Sequence, residues 1–127
     1  MFTKLTHITL FVTNQDEALK FYTAIGFIVH TDAQFGSMRW LTLCLPEQPE
    51  LELALILAET AEEKSLVGKQ GAAKPFISLA SNDCQYDYDK LTKQGIVFTE
   101  KPTEQPWGIA AALHDLYGNT IYICQSK

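Results

Sequence analysis

Long apolar runs are missing from this sequence of 127 residues. The longest mainly apolar stretch has about ten residues, whereas a helix needs roughly 20 to cross a bilayer. The first residues, MFTKLTHITLFV, alternate apolar with polar side chains and lack the continuous apolar segment of a signal peptide. We therefore expect a cytoplasmic protein that does not bind membranes.

Basic residues are scarce. Lys and Arg together number 10 against 15 Asp and Glu, and the net charge is −5. Proteins that bind nucleic acids or anionic lipids rely on clustered Lys and Arg to neutralise phosphates. This balance predicts neither nucleic acid nor a membrane surface as a partner.

Paired cysteines and glycine-rich phosphate loops are also absent. The three cysteines, Cys44, Cys84 and Cys124, are odd in number and form no CxxC motif. They fit buried thiols in a reducing compartment better than disulfides or structural zinc. No GxGxxG segment is present to bind a dinucleotide.

What the chain does contain is strict alternation, followed by helical spacing. Residues 5–13 (LTHITLFVT) place Ile8, Leu10 and Val12 on one side of a strand and His7, Thr9 and Phe11 on the other. Asn14 is a helix N-cap, and Gly26 ends that helix. Three further strands are predicted at about 27–33, 37–45 and 51–57. The first part of the chain therefore reads β-α-β-β-β.

The same pattern begins again after a connector at about 58–74, in which Thr60 and Glu63 can cap a short helix. A strand at 75–81 precedes a helix that Asp83 caps and Gly95 ends. The remaining strands are predicted at about 96–100, 108–114 and 120–125.

Two offsets align the halves. An offset of 69 matches His7 with Phe76, Ile8 with Ile77, Leu10 with Leu79, Asn14 with Asp83 and Gly26 with Gly95. An offset of 70 matches Leu51-Glu52-Leu53 with Ile121-Tyr122-Ile123. The halves predict an α+β fold of two β-α-β-β-β modules, about 5–57 and 75–125, in one domain. The sheet faces turned away from the helices would line a concavity that holds His7 and Glu52.

The chain resembles the vicinal oxygen chelate superfamily, which includes glyoxalase I, extradiol dioxygenases and bleomycin-resistance proteins. The segments that carry the resemblance are THITLFV, DEALKFYTAIGF, RWLTL, LELAL, NDCQYDYDKLTKQGIVF and EQPWGIAAALHDLYGNTIYI. The resemblance implies a half-open cup of mixed sheets and a homodimer.

The resemblance also implies four metal-ligand positions: His7, Glu52, Phe76 and Tyr122. Phe76 has no lone pair to donate, and a phenol with a pKa near ~10 is a poor ligand at neutral pH. Because a catalytic zinc site typically has three protein ligands, we expect no tightly bound cofactor and at most a weak divalent metal at His7 and Glu52. These two residues can equally be a catalytic acid and base, or a hydrogen bond that stabilises the cup.

Six residues are candidates for ligand binding. Phe11, Phe76 and Tyr122 are aromatic side chains predicted to face the cup, where they either hold a flat ligand or fill the core. Arg39 and Trp40 are adjacent in a strand, so alternation turns only one of them towards the cup. Trp107 lies in the segment EKPTEQPWG, which we predict to be a proline-rich loop. It is either a lid on the ligand or a plug for the core.

Two functions remain open at this point. The first is a binding protein of the bleomycin-resistance type, which takes a small, partly apolar molecule in an aromatic-lined cup. The second is a metal-dependent lyase, isomerase or dioxygenase that acts on a vicinal-oxygen substrate with Glu52 as the base. Aromatic residues at two ligand positions favour the first.

Overall fold

A computed structural model describes residues 1–127. The chain forms two units, Met1–Val67 and Gly68–Lys127. None of its helices has the length and apolar character that a membrane span requires.

The first unit has a four-stranded sheet in the order β1-β4-β3-β2. Its elements are β1 (His7–Val12), α1 (Gln15–Ala24), β2 (Ile28–Phe35), β3 (Met38–Leu45), β4 (Gln48–Leu57) and α2 (Ala61–Leu66). Strands β1 and β4 are parallel, and the other neighbours are antiparallel. Two-residue turns join β2 to β3 and β3 to β4.

The second unit repeats this arrangement in the order β5-β8-β7-β6. Its elements are β5 (Pro75–Ala80), α3 (Cys84–Lys93), β6 (Phe98–Gln105), β7 (Gly108–His114) and β8 (Thr120–Ser126). The outer pair β5 and β8 is again parallel. The predicted α+β fold with a duplicated β-α-β-β-β module is confirmed.

The helices begin where the sequence places their caps. Asn14 accepts a hydrogen bond from the backbone N–H of Glu17 at 2.9 Å, and Asp83 accepts one from Tyr86 at 3.0 Å. Helix α2 starts with the capping box formed by Thr60 and Glu63. Each cap satisfies a backbone donor that the first turn leaves unpaired.

One face of each sheet carries the apolar core. In the first unit this face includes Leu10, Val12, Leu41, Leu43, Leu53 and Leu55, none more than 4% exposed, and α1 adds the fully buried Tyr22. In the second unit the corresponding side chains are Leu113, Ile121 and Ile123, with Leu91 from α3. Burying each of these aliphatic side chains contributes about 1.5–3 kcal/mol.

The predicted end of β6 is wrong. Strand β6 runs to Gln105 instead of ending near residue 100, and it passes through Pro102. An edge strand tolerates proline because its outer N–H groups need no ladder partner. Trp107 consequently lies in the two-residue turn between β6 and β7, and the segment around it is a hairpin and not a long loop.

The offset of 70 in the last strand is also wrong. Leu10 pairs with Leu55 in the first unit, and Leu79 pairs with Ile123 in the second. Leu55 therefore corresponds to Ile123, and by the same register Glu52 corresponds to Thr120, whose partner is Pro75. An error of two residues leaves every side chain on its face, so alternation alone does not reveal it.

Candidate functional site

The predicted acid and base residues, His7 and Glu52, lie on the face of the first sheet opposite α1. Register places His7 beside Glu52 and Thr9 beside Ala54 on the parallel strands β1 and β4. Strand β3 adds Thr42, the partner of Ala54. We call this surface the polar face of the first sheet, since its centre holds a carboxylate.

Two side chains contact Glu52 at a single oxygen. Thr42 donates its hydroxyl to Oε1 at 2.6 Å, and Nδ1 of His30 lies 3.2 Å from the same oxygen. Thr42 is fully buried, whereas the side chains of Glu52 and His30 are 21% and 37% exposed. The buried Thr42 hydroxyl thus holds the carboxylate in place, and the Glu52 side chain remains partly accessible to solvent.

His30 was not among the residues that the sequence suggested. In the pairing of β2 with β3, Val29 is opposite Leu43 and Thr31 is opposite Thr42, so His30 is the additional residue of a β-bulge. A bulge redirects a side chain, and here Nδ1 of His30 also lies 2.8 Å from the Thr31 hydroxyl. The alternation of β2 carries no signal for such an irregularity.

His7 does not make the contact with Glu52 that its position suggested. Its ring is exposed, and it meets the Trp40 indole edge to face, with ring centroids 5.3 Å apart and planes at 85°. Nδ1 of His7 lies 3.3 Å from the Thr6 hydroxyl. His7 and Trp40 thus form an aromatic pair beside the carboxylate.

A buried thiol lies on the same face. Burial raises the pKa of Cys44, and the negative charges of Glu52 and Glu50 add to that effect. A raised pKa keeps this cysteine protonated at neutral pH, so it is a poor nucleophile.

Arg39 lies on the other face, among the groups that connect the sheet to α1. Its guanidinium donates to Asp16 of α1 at 2.7 Å and to both carboxylate oxygens of Asp32, at 3.0 and 2.9 Å. The bonds from Arg39 lower the pKa of Asp32. The predicted ligand-binding arginine is thus engaged by carboxylates of its own unit, and Trp40 is the member of the pair that lies with Glu52.

The second sheet brings together two of the predicted aromatic residues. The Trp107 indole N–H donates to the Tyr122 hydroxyl at 3.0 Å. Trp107 is 54% exposed, whereas Tyr122 is half-buried. This hydrogen bond holds an exposed indole in one position.

The remaining candidates, Phe11 and Phe76, are half-buried on their own strands. Phe11 pairs with Ile56 of β4. Phe76 lies at an irregularity between Pro75 and Ile77 and has no Cα partner on β8. It therefore lacks the cross-strand relation to Tyr122 that His7 has to Glu52.

The residues present do not fit the metal that the resemblance implies. Nowhere in the chain do three or more His, Cys, Asp or Glu side chains converge as a metal ion would require. In the first unit, Oε1 of Glu52 is already held by Thr42 and His30, and the ring of His7 contacts Trp40. In the second unit, the predicted ligand positions hold Phe76, which has no lone pair to donate, and Tyr122, whose hydroxyl accepts a hydrogen bond from Trp107.

A pocket of about 320 Å³ lies beside the hairpin that contains Trp107. It is lined by Glu104, Gln105, Gly108, Ile109, Gln125, Ser126 and Lys127. Polar and flexible side chains dominate this lining, and none of the predicted site residues belongs to it.

The model of the Glyoxalase/Bleomycin resistance protein/Dioxygenase superfamily matches residues 4–123. The chain belongs to this superfamily. Bacillus subtilis (strain 168) has a relative, YurT, that is 35% identical over 127 residues, covering 96% of this chain and 98% of YurT.

Solved structures share the fold over nearly the whole chain. UcmS2 is similar with a TM-score of 0.87 and 29% identity, covering 99% of this chain and 100% of that one. TnmS3, described as an antibiotic binding protein from Streptomyces sp. CB03234, has a TM-score of 0.83 and 23% identity, covering 99% of this chain and 98% of its own. At 23% identity the likeness to TnmS3 concerns the fold.

Proposed function

We propose that this superfamily member binds a small, partly apolar molecule through aromatic side chains on its sheets, without a tightly held metal. The observation that carries the proposal is the edge-to-face pair of His7 and Trp40 beside the accessible carboxylate of Glu52. Ligand sites combine apolar and aromatic walls with a few fixed polar groups, which is the composition of this surface.

Trp107 provides a second aromatic surface, on the second sheet. A tryptophan that is 54% exposed leaves much of its apolar area in water, yet its N–H is already bonded to Tyr122. An indole held in place before a ligand arrives loses little conformational entropy on binding. We propose that Trp107 and Tyr122 contact ligand in this way.

The similarity to TnmS3 supports the proposal of a binding function, because that protein has the same fold and is described as antibiotic-binding. Flat aromatic compounds are the class that exposed indole rings suit best, because stacked and edge contacts both stabilise them.

The enzymatic alternative assigns Glu52 as a base beside a divalent metal. Thr42 already donates to Oε1 of Glu52, Nδ1 of His30 lies 3.2 Å from the same oxygen, and no third ligand lies with Glu52 and His7. These contacts favour a carboxylate that binds a ligand over a carboxylate that binds a metal.

Titration calorimetry with acridine, a flat tricyclic probe, tests the binding function. We expect saturable binding that Trp40→Leu weakens at least about fivefold, since a stacked aromatic contact contributes on the order of 1 kcal/mol. Tyr86→Leu, at an exposed aromatic residue of α3 in the second unit, is the matched control and should leave the affinity within about twofold. The same titration of Trp107→Leu tests the second surface. An affinity that none of these variants changes contradicts the proposal.

We further propose that the protein is a cytoplasmic homodimer. Strands β2 and β6 are edges of their sheets, and β2 exposes Ile28, Val29 and Phe35. Edges of this kind are commonly covered by a partner. Light scattering at micromolar concentration should give twice the mass of the 14.2 kDa chain, and a monomer would contradict this.

A further inference from the structure

We infer that Glu52 anchors the ligand and selects molecules that carry a protonated amine or other N–H donor next to a flat apolar body. The inference rests on the proposed binding function and names the class of ligand for the polar face of the first sheet. It assigns to Glu52 the role of acceptor for a donor group of the ligand.

The protein contacts the two carboxylate oxygens of Glu52 unequally. Thr42 and His30 both contact Oε1. Neither contact involves Oε2, and the Glu52 side chain as a whole is 21% exposed. An ionised carboxylate accepts through about four lone-pair positions, so Oε2 is available to a donor from outside the protein.

The Glu52 carboxylate is already oriented by its neighbours. Thr42 is fully buried in β3, and the bulge in β2 brings His30 to the same oxygen. Contacts from two strands restrict the rotation of Glu52. A binding group fixed by supporting hydrogen bonds loses less entropy when its partner arrives.

The immediate surroundings of Glu52 favour a cationic group as its partner. No Lys or Arg forms an ion pair with it; the arginine of this sheet, Arg39, is bonded to Asp16 and Asp32. Since charge-assisted hydrogen bonds are roughly twice as strong as neutral ones, a cationic N–H group is the best partner for Oε2. The Trp40 and His7 rings lie on the same face and suit an apolar body attached to that group.

Two probes that share one ring system test this inference. Acridine offers a neutral flat ring, whereas 9-aminoacridine adds an amino group and carries a positive charge at neutral pH. Titration calorimetry at low salt should show 9-aminoacridine binding at least about tenfold more tightly than acridine, because only it can bond to Oε2.

Variants locate the origin of that preference. Glu52→Gln should reduce the preference for 9-aminoacridine over acridine to about twofold or less, because it weakens the binding of 9-aminoacridine alone. Glu50→Gln, at an exposed carboxylate of the same strand, is the matched control and should keep the preference. Thr42→Val should weaken the binding of 9-aminoacridine about threefold and leave that of acridine unchanged. The substitution removes one hydrogen bond to the carboxylate and retains the shape of the side chain.

The possible failures are distinct. If both probes bind the wild-type protein equally, the inference is wrong and the binding function stands. If Glu52→Gln weakens both probes alike, Glu52 shapes the surface and does not select the ligand, which also overturns the inference. If neither probe binds, the proposed function fails and the inference fails with it.

Discussion

His30 and Glu52 are held 3.2 Å apart, from Nδ1 to Oε1, although they lie on strands β2 and β4, which are not neighbours in the sheet. Strand β3 lies between them, and its Thr42 donates to the same oxygen of Glu52. The contact therefore spans three strands. It depends on the bulge at His30, which leaves this residue without a partner on β3.

We predict that divalent metals do not stabilise the protein. A metal present at 100 times its dissociation constant would add about 2.7 kcal/mol to the free energy of unfolding. Because the potential ligands His7 and Glu52 have other contacts and no third ligand joins them, EDTA and added zinc, nickel or manganese should each leave the melting temperature within about 1 °C. Stoichiometric metal in the purified protein, released by Glu52→Gln, would contradict this prediction.

The ion pairs of Arg39 predict a dependence of stability on pH. The bonds from Arg39 lower the pKa of Asp32 below its unfolded value of about 4, so the ionised form of Asp32 stabilises the fold. This contribution is complete above the unfolded pKa and is lost as the pH falls through the lower, folded pKa. The melting temperature of Asp32→Asn should therefore be below that of the wild type at pH 7, and the difference should shrink below about pH 4.

An exposed carboxylate on another element is the control for this titration. Glu104→Gln, in β6, should give no difference from wild type that changes with pH in the same range, since Glu104 has no ion pair. A difference between Asp32→Asn and wild type that is the same at pH 3 and pH 7 would contradict the assignment.

The duplicated fold could be predicted because alternation, helix caps and the glycines that end helices are local signals. Asn14 and Asp83 cap their helices as expected, and both β-α-β-β-β modules form. Register was harder to predict. The alternation of β8 permits either Thr120 or Tyr122 as the counterpart of Glu52, and only the pairing with β5 and β7 distinguishes them.

The candidate site could be predicted only in part. Alternation correctly separates Arg39 from Trp40, because the two sides of a strand face opposite ways. The role of His30 could not be predicted, since it depends on an irregular pairing of β2 with β3. The contact between Trp107 and Tyr122 requires the short β6–β7 hairpin, which the proline-rich sequence concealed.

Substitution of Gly108 tests the close pairing of β7 with β8. Its φ is +148°, and a Cβ at this position would lie 2.1 Å from the backbone oxygen of Gln125. We expect Gly108→Ala to lower the free energy of unfolding by at least about 3 kcal/mol, because the backbone must move. Gly36→Ala, in the β2–β3 turn with φ +62° and no atom within 4 Å of its Cβ, should cost only about 1–2 kcal/mol. Urea denaturation measures both, and equal losses would contradict this account.

The three free cysteines should differ in reactivity. Burial raises the pKa of Cys44 and of Cys84, and both thiols are at most 2% exposed, so few thiolates are available there. Cys124, on β8, is only half-buried. Because the thiolate is the reactive form and must be reached by the reagent, a disulfide reagent such as DTNB at pH 8 should label one thiol first and the other two much more slowly. Cys124→Ser should remove the fast phase, whereas Cys44→Ser should retain it. In urea all three thiols should react at similar rates. A fast phase that persists in Cys124→Ser would contradict this prediction, because it would show that one of the two core thiols is accessible.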